Sequence, residues 1–276
     1  MSVQYTKEGL ARRVRWAIHD GLVLTKRNLL RYVRIPTLLV FSTVQPVMFV
    51  LLFRYVFGGA IGGLPFGISY VDFLIPGIII QTAIFGATQT GIGLAEDLNV
   101  GIIDRFRSLP MDRAAVLAGR TTADLFRNLF VVMLMIGVGY LTGFRFSNGF
   151  VPAVVGIGLA VAVGFAFSWI SATIGLAIKN LESVQAASFI WIFPLTFASS
   201  AFVPIVAMPS WLQVIARNNP VTIWANTLRV LVIGDPFLGT LVGHETALGL
   251  LLKSVAWIAL ILAIFVPLSI RIYRRA

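Results

Sequence analysis

The sequence predicts an all-α integral membrane protein with six transmembrane helices, on three observations. Of its 276 residues 58% are hydrophobic and only 12% charged, with a mean hydropathy of +0.91. No soluble domain of this size could cover so much apolar surface. The apolar residues fall in runs of about twenty or more without two-residue alternation, which selects helices over a β-barrel. Of the 22 Lys and Arg, all but Arg54, Arg145, Arg217, Arg229 and Lys253 fall in segments that six spans place on one side. That asymmetry follows the positive-inside rule and puts both termini of a multi-pass plasma-membrane protein in the cytoplasm.

Residues 1–35 set Lys7, Arg12, Arg13, Arg15, Lys26, Arg27, Arg31 and Arg34 against only Glu8 and Asp20. Leu10, Val14, Ala17, Ile18, Gly21 and Leu22 share one helical face, so this is a basic N-terminal helix lying in the interface. The basic region is too long for a signal peptide, and no small-residue cleavage site follows it. Residues 36–276 form a single six-helix transmembrane domain. Span one covers 35–57, with Gln45-Pro46 in its middle. The glycine-rich, uncharged loop 58–71 lies outside.

Span two covers 72–95 and carries Gln81, Thr82, Thr88, Gln89 and Thr90. Gln81 and Gln89 lie about two turns apart and share a side of the helix. They face protein or a water-filled path rather than lipid. Two readings stay open there, a lined translocation route and interhelical hydrogen bonding.

The cytoplasmic loop 96–128 follows. Its bases are balanced by Glu96, Asp97, Asp104, Asp112 and Asp124, which suits docking on a protein better than binding anionic lipid. Within it Ile102, Ile103, Phe106 and Leu109 fall at helical spacing and form an apolar stripe. Asp104, Arg105, Arg107 and Ser108 occupy the other side, and Pro110 ends the turn. A short helix at the membrane surface is the result, a handle by which another protein can move the flanking spans.

Span three covers 129–146, or starts earlier near Ala114. Span four covers 151–178. There Gly156, Ala160, Gly164, Ser168 and Ala172 recur every fourth residue and let another helix approach closely. After a minimal turn, the run 184–205 contains Pro194, Thr196, Ser199 and Ser200 and reads as a broken or re-entrant segment before the last span. The outer segment 206–247 places Trp211 and Trp224 at the outer interface. The last span covers 247–270, and Arg271, Arg274 and Arg275 follow inside.

Several chemistries are excluded. The chain has no Cys, hence no disulfide, thiolate metal site or cysteine nucleophile. His19 and His244 stand far apart with no motif between them. There is no P-loop, no H-E-x-x-H, no G-x-S-x-G and no acidic cluster with metal-loop spacing. No catalytic, metal or cofactor residue is therefore expected. No carboxylate is seen at depth inside the spans, which argues against a secondary carrier and against an intramembrane enzyme. The net charge of +11 follows the inner-leaflet side, so it is explained by anionic lipid rather than nucleic acid.

Glu96-Asp97, Gly101, the stretch Asp104-Arg105-Phe106-Arg107-Ser108-Leu109-Pro110-Met111 and Asp112-Arg113 together resemble the cytoplasmic coupling segment of type-2 ABC export permeases. The match is best to the daunorubicin/doxorubicin-resistance (DrrB-like) subfamily. Val116-Leu117-Ala118-Gly119-Arg120 and Ala123-Asp124-Leu125 resemble that subfamily too. Asn219-Pro220-Val221-Thr222, with Arg229 nine residues after the proline, is similar to the family's C-terminal signature, from which Val221 and Ile223 depart.

The resemblance implies a permease subunit that exports a drug, antibiotic or lipid. It implies a second permease chain, identical or related, and cytoplasmic ATPase subunits that carry the ATP and Mg. Glu96, Gly101, Ile102, Ile103, Asp104, Arg105, Phe106, Arg107 and Pro110 would dock on the ATPase. Gln45, Gln81, Phe85, Gln89 and Trp169 are candidates for the substrate path. The competing readings are a polysaccharide or teichoic-acid exporter permease, a secondary carrier and a lipid-modifying membrane enzyme.

Overall fold

The computed structural model describes residues 10–35, 37–57, 68–102, 113–238 and 246–275, and among these the chain is helical with no strand. The helices are α1 (Leu10–Arg34), α2 (Thr37–Leu52, continued by a π-helical turn Phe53–Phe57), α3 (Tyr70–Asn99), α4 (Arg113–Leu141), α5 (Phe150–Ile178), α6 (Leu181–Phe197), α7 (Ser210–Asn218), α8 (Pro220–Ile233), α9 (Asp235–Leu238) and α10 (Ala247–Arg275). Four helices, 70–99, 116–141, 150–178 and 247–274, are long and apolar enough to cross a membrane. Three shorter apolar stretches, Ser42–Val56, Leu181–Phe197 and Pro220–Ile233, accompany them.

α3 is the hub. At 1.5 Å per residue its 30 residues reach about 45 Å, and it packs against α2, α4, α5, α6 and α8. Its start is fixed by Ser69, whose Oγ accepts from the Asp72 N–H at 3.2 Å and donates to the Asp72 carboxylate at 2.7 Å. The α3–α5 crossing is close because both helices use glycine there. A Cβ on Gly175 would lie 2.2 Å from the Gly91 carbonyl oxygen, and one on Gly91 2.3 Å from that of Ser171. The small-residue stripe on α5 behaves as expected, with Gly156, Ala160, Gly164, Ser168 and Ala172 all buried.

The two ends of the bundle differ. At one end α1 packs on α4, and Arg27, Arg31, Glu96 and Asp97 gather there. At the opposite end the α4–α5 connection closes onto α8, where the N–H groups of Ser147 and Asn148 both donate to the Val232 carbonyl at 3.0 Å.

Three expectations are corrected. Residues 113–128, assigned to a loop, are helical, so the helix takes the earlier of its two predicted starts and the connection shrinks to 100–112. Pro194 lies inside α6, and the break comes later, at 198–204. The amide of Asn219 donates to the carbonyls of Leu195 (2.7 Å) and Ala198 (3.0 Å), satisfying groups that the helix end leaves open. Trp211 is 67% exposed, but Trp224 is fully buried and its indole N–H donates to the Ser254 carbonyl at 3.2 Å.

Candidate functional site

A cavity of about 310 Å³ lies between α1, α2 and α3, with Phe189 of α6 at its edge. Spacings of four and eight residues put Gln81, Phe85 and Gln89 on one face of α3, and that face is its wall. α2 supplies Gln45, Pro46 and Phe49 from the other side, and α1 supplies Asn28, Arg31 and Tyr32. Four of the five path candidates are thus brought together. Gln81 is only 2% exposed, and Thr82 beside it has a buried hydroxyl without a hydrogen-bond partner among the described residues. Amides and hydroxyls interleave with the rings of Phe49, Phe85 and Phe189. Such a lining suits a ligand with apolar faces and a few polar groups.

The fifth candidate is elsewhere. Trp169 is buried on α5 against Phe165, edge to face at 6.3 Å, in a cluster with Leu94, Leu117 and Tyr273. It packs the core and does not reach the cavity.

The wall toward the charged end is an ion network that the sequence reading missed. Asp124 on α4, 2% exposed, accepts hydrogen bonds from the hydroxyls of Tyr32 and Thr90. Arg120 and Arg127 flank it at 3.6 and 3.7 Å. Arg120 also reaches Asp97 at 3.9 Å, and Asp97 is met from α1 by Arg27 at 3.5 Å. Arg31 on α1 pairs with Glu96 at 2.6 Å. Gly93 makes room for this arrangement, since a Cβ there would fall 1.7 Å from the Arg120 guanidinium. Burial, reinforced by the Asp124 carboxylate, pushes the Tyr32 hydroxyl well above its ordinary range and keeps it a donor.

This network corrects two readings. Asp124 is a carboxylate inside a span-length helix, and Arg120, Asp124 and Arg127 are buried rather than a docking surface. Their spacing explains why: each arginine lies three or four residues from the acid on the same helix face, so the charges compensate one another locally. That spacing was the available signal. Both oxygens of Asp124 are engaged by hydroxyl donors.

Of the docking candidates, Glu96, Gly101 and Ile102 are described. Glu96 closes the ion pair with α1. Gly101 has φ +72°, the left-handed region that favours glycine, and its N–H donates to the Leu98 carbonyl at 3.1 Å, turning the chain out of α3. Ile102 is half-buried. Ile103, Asp104, Arg105, Phe106, Arg107 and Pro110 lie outside the described residues, as does His244. The connection 100–112 therefore hangs from the end of α3 that the ion network ties to α1 and α4. Among the described residues no group of acids or histidines could hold a metal ion.

Comparison with known proteins gives one family. The family described as "ABC-2 type transporter" matches residues 20–233. The chain is 33% identical, over 94% of its length and 87% of the relative's, to "Daunorubicin resistance ABC transporter permease protein DrrB1" of Streptomyces coeruleorubidus. It is 28% identical, over 97% of its length and 93% of the relative's, to "Probable doxorubicin resistance ABC transporter permease protein DrrC" of Mycobacterium tuberculosis.

Proposed function

We propose, from the premise that this chain belongs to the ABC-2 type transporter family, that it is the permease subunit of an ATP-driven exporter carrying a hydrophobic or amphipathic compound outward across the plasma membrane. The observation that carries this reading is the cavity of α1, α2 and α3, walled by the ion network at the root of the 100–112 connection. The charged end faces the cytoplasm and both termini lie there. α2, α3, α4, α5, α10 and the broken α6–α8 unit make up six spans.

ATP is bound and hydrolysed, with Mg, on a partner ATPase, and a second permease chain completes the assembly. Residues around 100–110 dock on that ATPase. Ile102, Ile103 and Phe106 anchor it through apolar contact, and Asp104, Arg105 and Arg107 fix register and charge. Movement of this segment reaches the cavity through Glu96–Arg31 and Asp97–Arg27, because those pairs bind α3 to α1. Coupling requires that the docked segment make different contacts in two states of the bundle. Gln45, Gln81, Phe85 and Gln89 contact the substrate. The names of the relatives suggest daunorubicin as the first compound to try.

The test is co-purification with the ATPase encoded beside it and ATP turnover of the complex, wild type against Arg105→Glu/Arg107→Glu. Both should fall in the variant while membrane insertion stays intact. An unchanged complex with unchanged turnover would contradict the docking assignment.

A further inference from the structure

Arg229 on α8 is fully buried, and among the described residues no carboxylate lies within ion-pair distance of it. A buried cation without an anion is costly unless every donor is used. Here all are. Nε donates to the Phe73 carbonyl at 2.8 Å, Nη1 to Asn226 Oδ1 at 2.9 Å and Ser200 Oγ at 3.1 Å, and Nη2 to the carbonyls of Ser200 (2.7 Å) and Ala201 (3.2 Å). The Phe73 ring covers the guanidinium at 3.6 Å. Three of the five acceptors belong to Ser200 and Ala201, in the break after α6, where the backbone has no helical partners of its own.

The held break has a consequence one residue later. Phe202, buried, stacks on Phe53 at 4.7 Å and meets Phe49 at 5.7 Å and Phe197 at 5.2 Å. Its carbonyl accepts from the Tyr70 hydroxyl at 3.0 Å. Phe49 also lines the cavity. These rings therefore stand between the cavity and the end of the bundle remote from the ion network. The seat is tight, since a Cβ on Gly77 of α3 would lie 1.9 Å from the Ala201 carbonyl oxygen.

We propose that Arg229 is the positioning residue of an outer gate. Its guanidinium holds the 199–202 turn on α3, so that Phe202 with Phe49 and Phe53 closes the far end of the cavity. The turn is joined to α3 by side-chain bonds rather than by a helix, so it can leave as a unit when those bonds exchange. This rests on the transport reading above. A lysine would keep the charge but lose the planar fork that reaches several acceptors at once.

The chain contains no cysteine, so Ser42→Cys, on the cavity wall, is a unique reporter. It is labelled with a membrane-impermeant maleimide, without added nucleotide, in cells expressing the full chain with its ATPase. With Arg229 intact it should react slowly from outside and readily in inverted vesicles. Adding Arg229→Gln or Arg229→Lys should raise the outside rate about tenfold, the shift expected from losing one charge-assisted hydrogen bond, and leave the inside rate unchanged.

If Arg229→Gln fails to insert, Ser200→Ala and Asn226→Ala replace it. Each removes a side-chain acceptor and should raise the outside rate severalfold. Fast outside labelling with Arg229 intact, or no rise in any inserted variant, overturns the gate. Export of the probe compound by the wild-type complex is measured in the same cells. Its absence would defeat the transport reading, whereas export with an unresponsive reporter would defeat the gate alone.

Discussion

Replacing Asp124 with Asn removes the anion that Arg120 and Arg127 share, leaving Arg127 without an acid partner among the described residues and Arg120 with only the 3.9 Å contact to Asp97. The expected loss is about 3 kcal/mol of stability, seen as a lowered thermal midpoint of the purified protein. An unchanged midpoint would mean the network is not held as described. Gln81→Leu keeps the volume of the cavity wall and deletes its amide. The concentration of compound giving half-maximal export should rise about fivefold, the effect of one hydrogen bond, with little change in maximal rate. At this scale the sequence was readable where a polar group interrupts an apolar run. Gln81 and Gln89 stand out in that way, and their spacing alone puts them on one wall. Trp169 and Trp224 were misassigned because a tryptophan suits an interface, a path and a core equally. Only the neighbours decide, and here these are Phe165 and the Ser254 carbonyl.

The α3–α5 pair depends on backbones touching at Gly91 and Gly175. Gly175→Ala should force the helices apart and cost about 1–3 kcal/mol, read as a lower denaturation midpoint and reduced export at equal expression. Gly137→Ala, where a side chain would meet nothing within 4 Å, is the control and should leave both unchanged. The four-residue repeat of small side chains on α5 was visible in the sequence, because a helix returns to the same face at that interval. The start of α4 was not fixed there, because a charge counts as polar in a hydropathy pattern whether or not it is paired. Asp124 with an arginine three or four residues to either side is such a self-compensated set. The break after α6 was expected at Pro194 but falls at 198, where Asn219, the residue that caps the start of α8, supplies donors that no local pattern reveals.

In the proposed scheme the bundle opens at the charged end, through the cavity lined by Arg31 and Glu96, and the Phe53–Phe202 stack closes the other end. On that scheme the Lys- and Arg-rich side is the cytoplasmic one, and the molecule is half of a machine. The scheme gives it a route and two sets of polar contacts that exchange, and puts the energy source on a partner. The most direct measurement is outward transport of a fluorescent amphipathic compound by the reconstituted permease–ATPase complex, with ATP and with the proton gradient collapsed by an ionophore. The predicted result is transport that persists under the ionophore, stops without ATP and falls in Arg105→Glu/Arg107→Glu. Transport that ignores ATP and disappears with the proton gradient would contradict it.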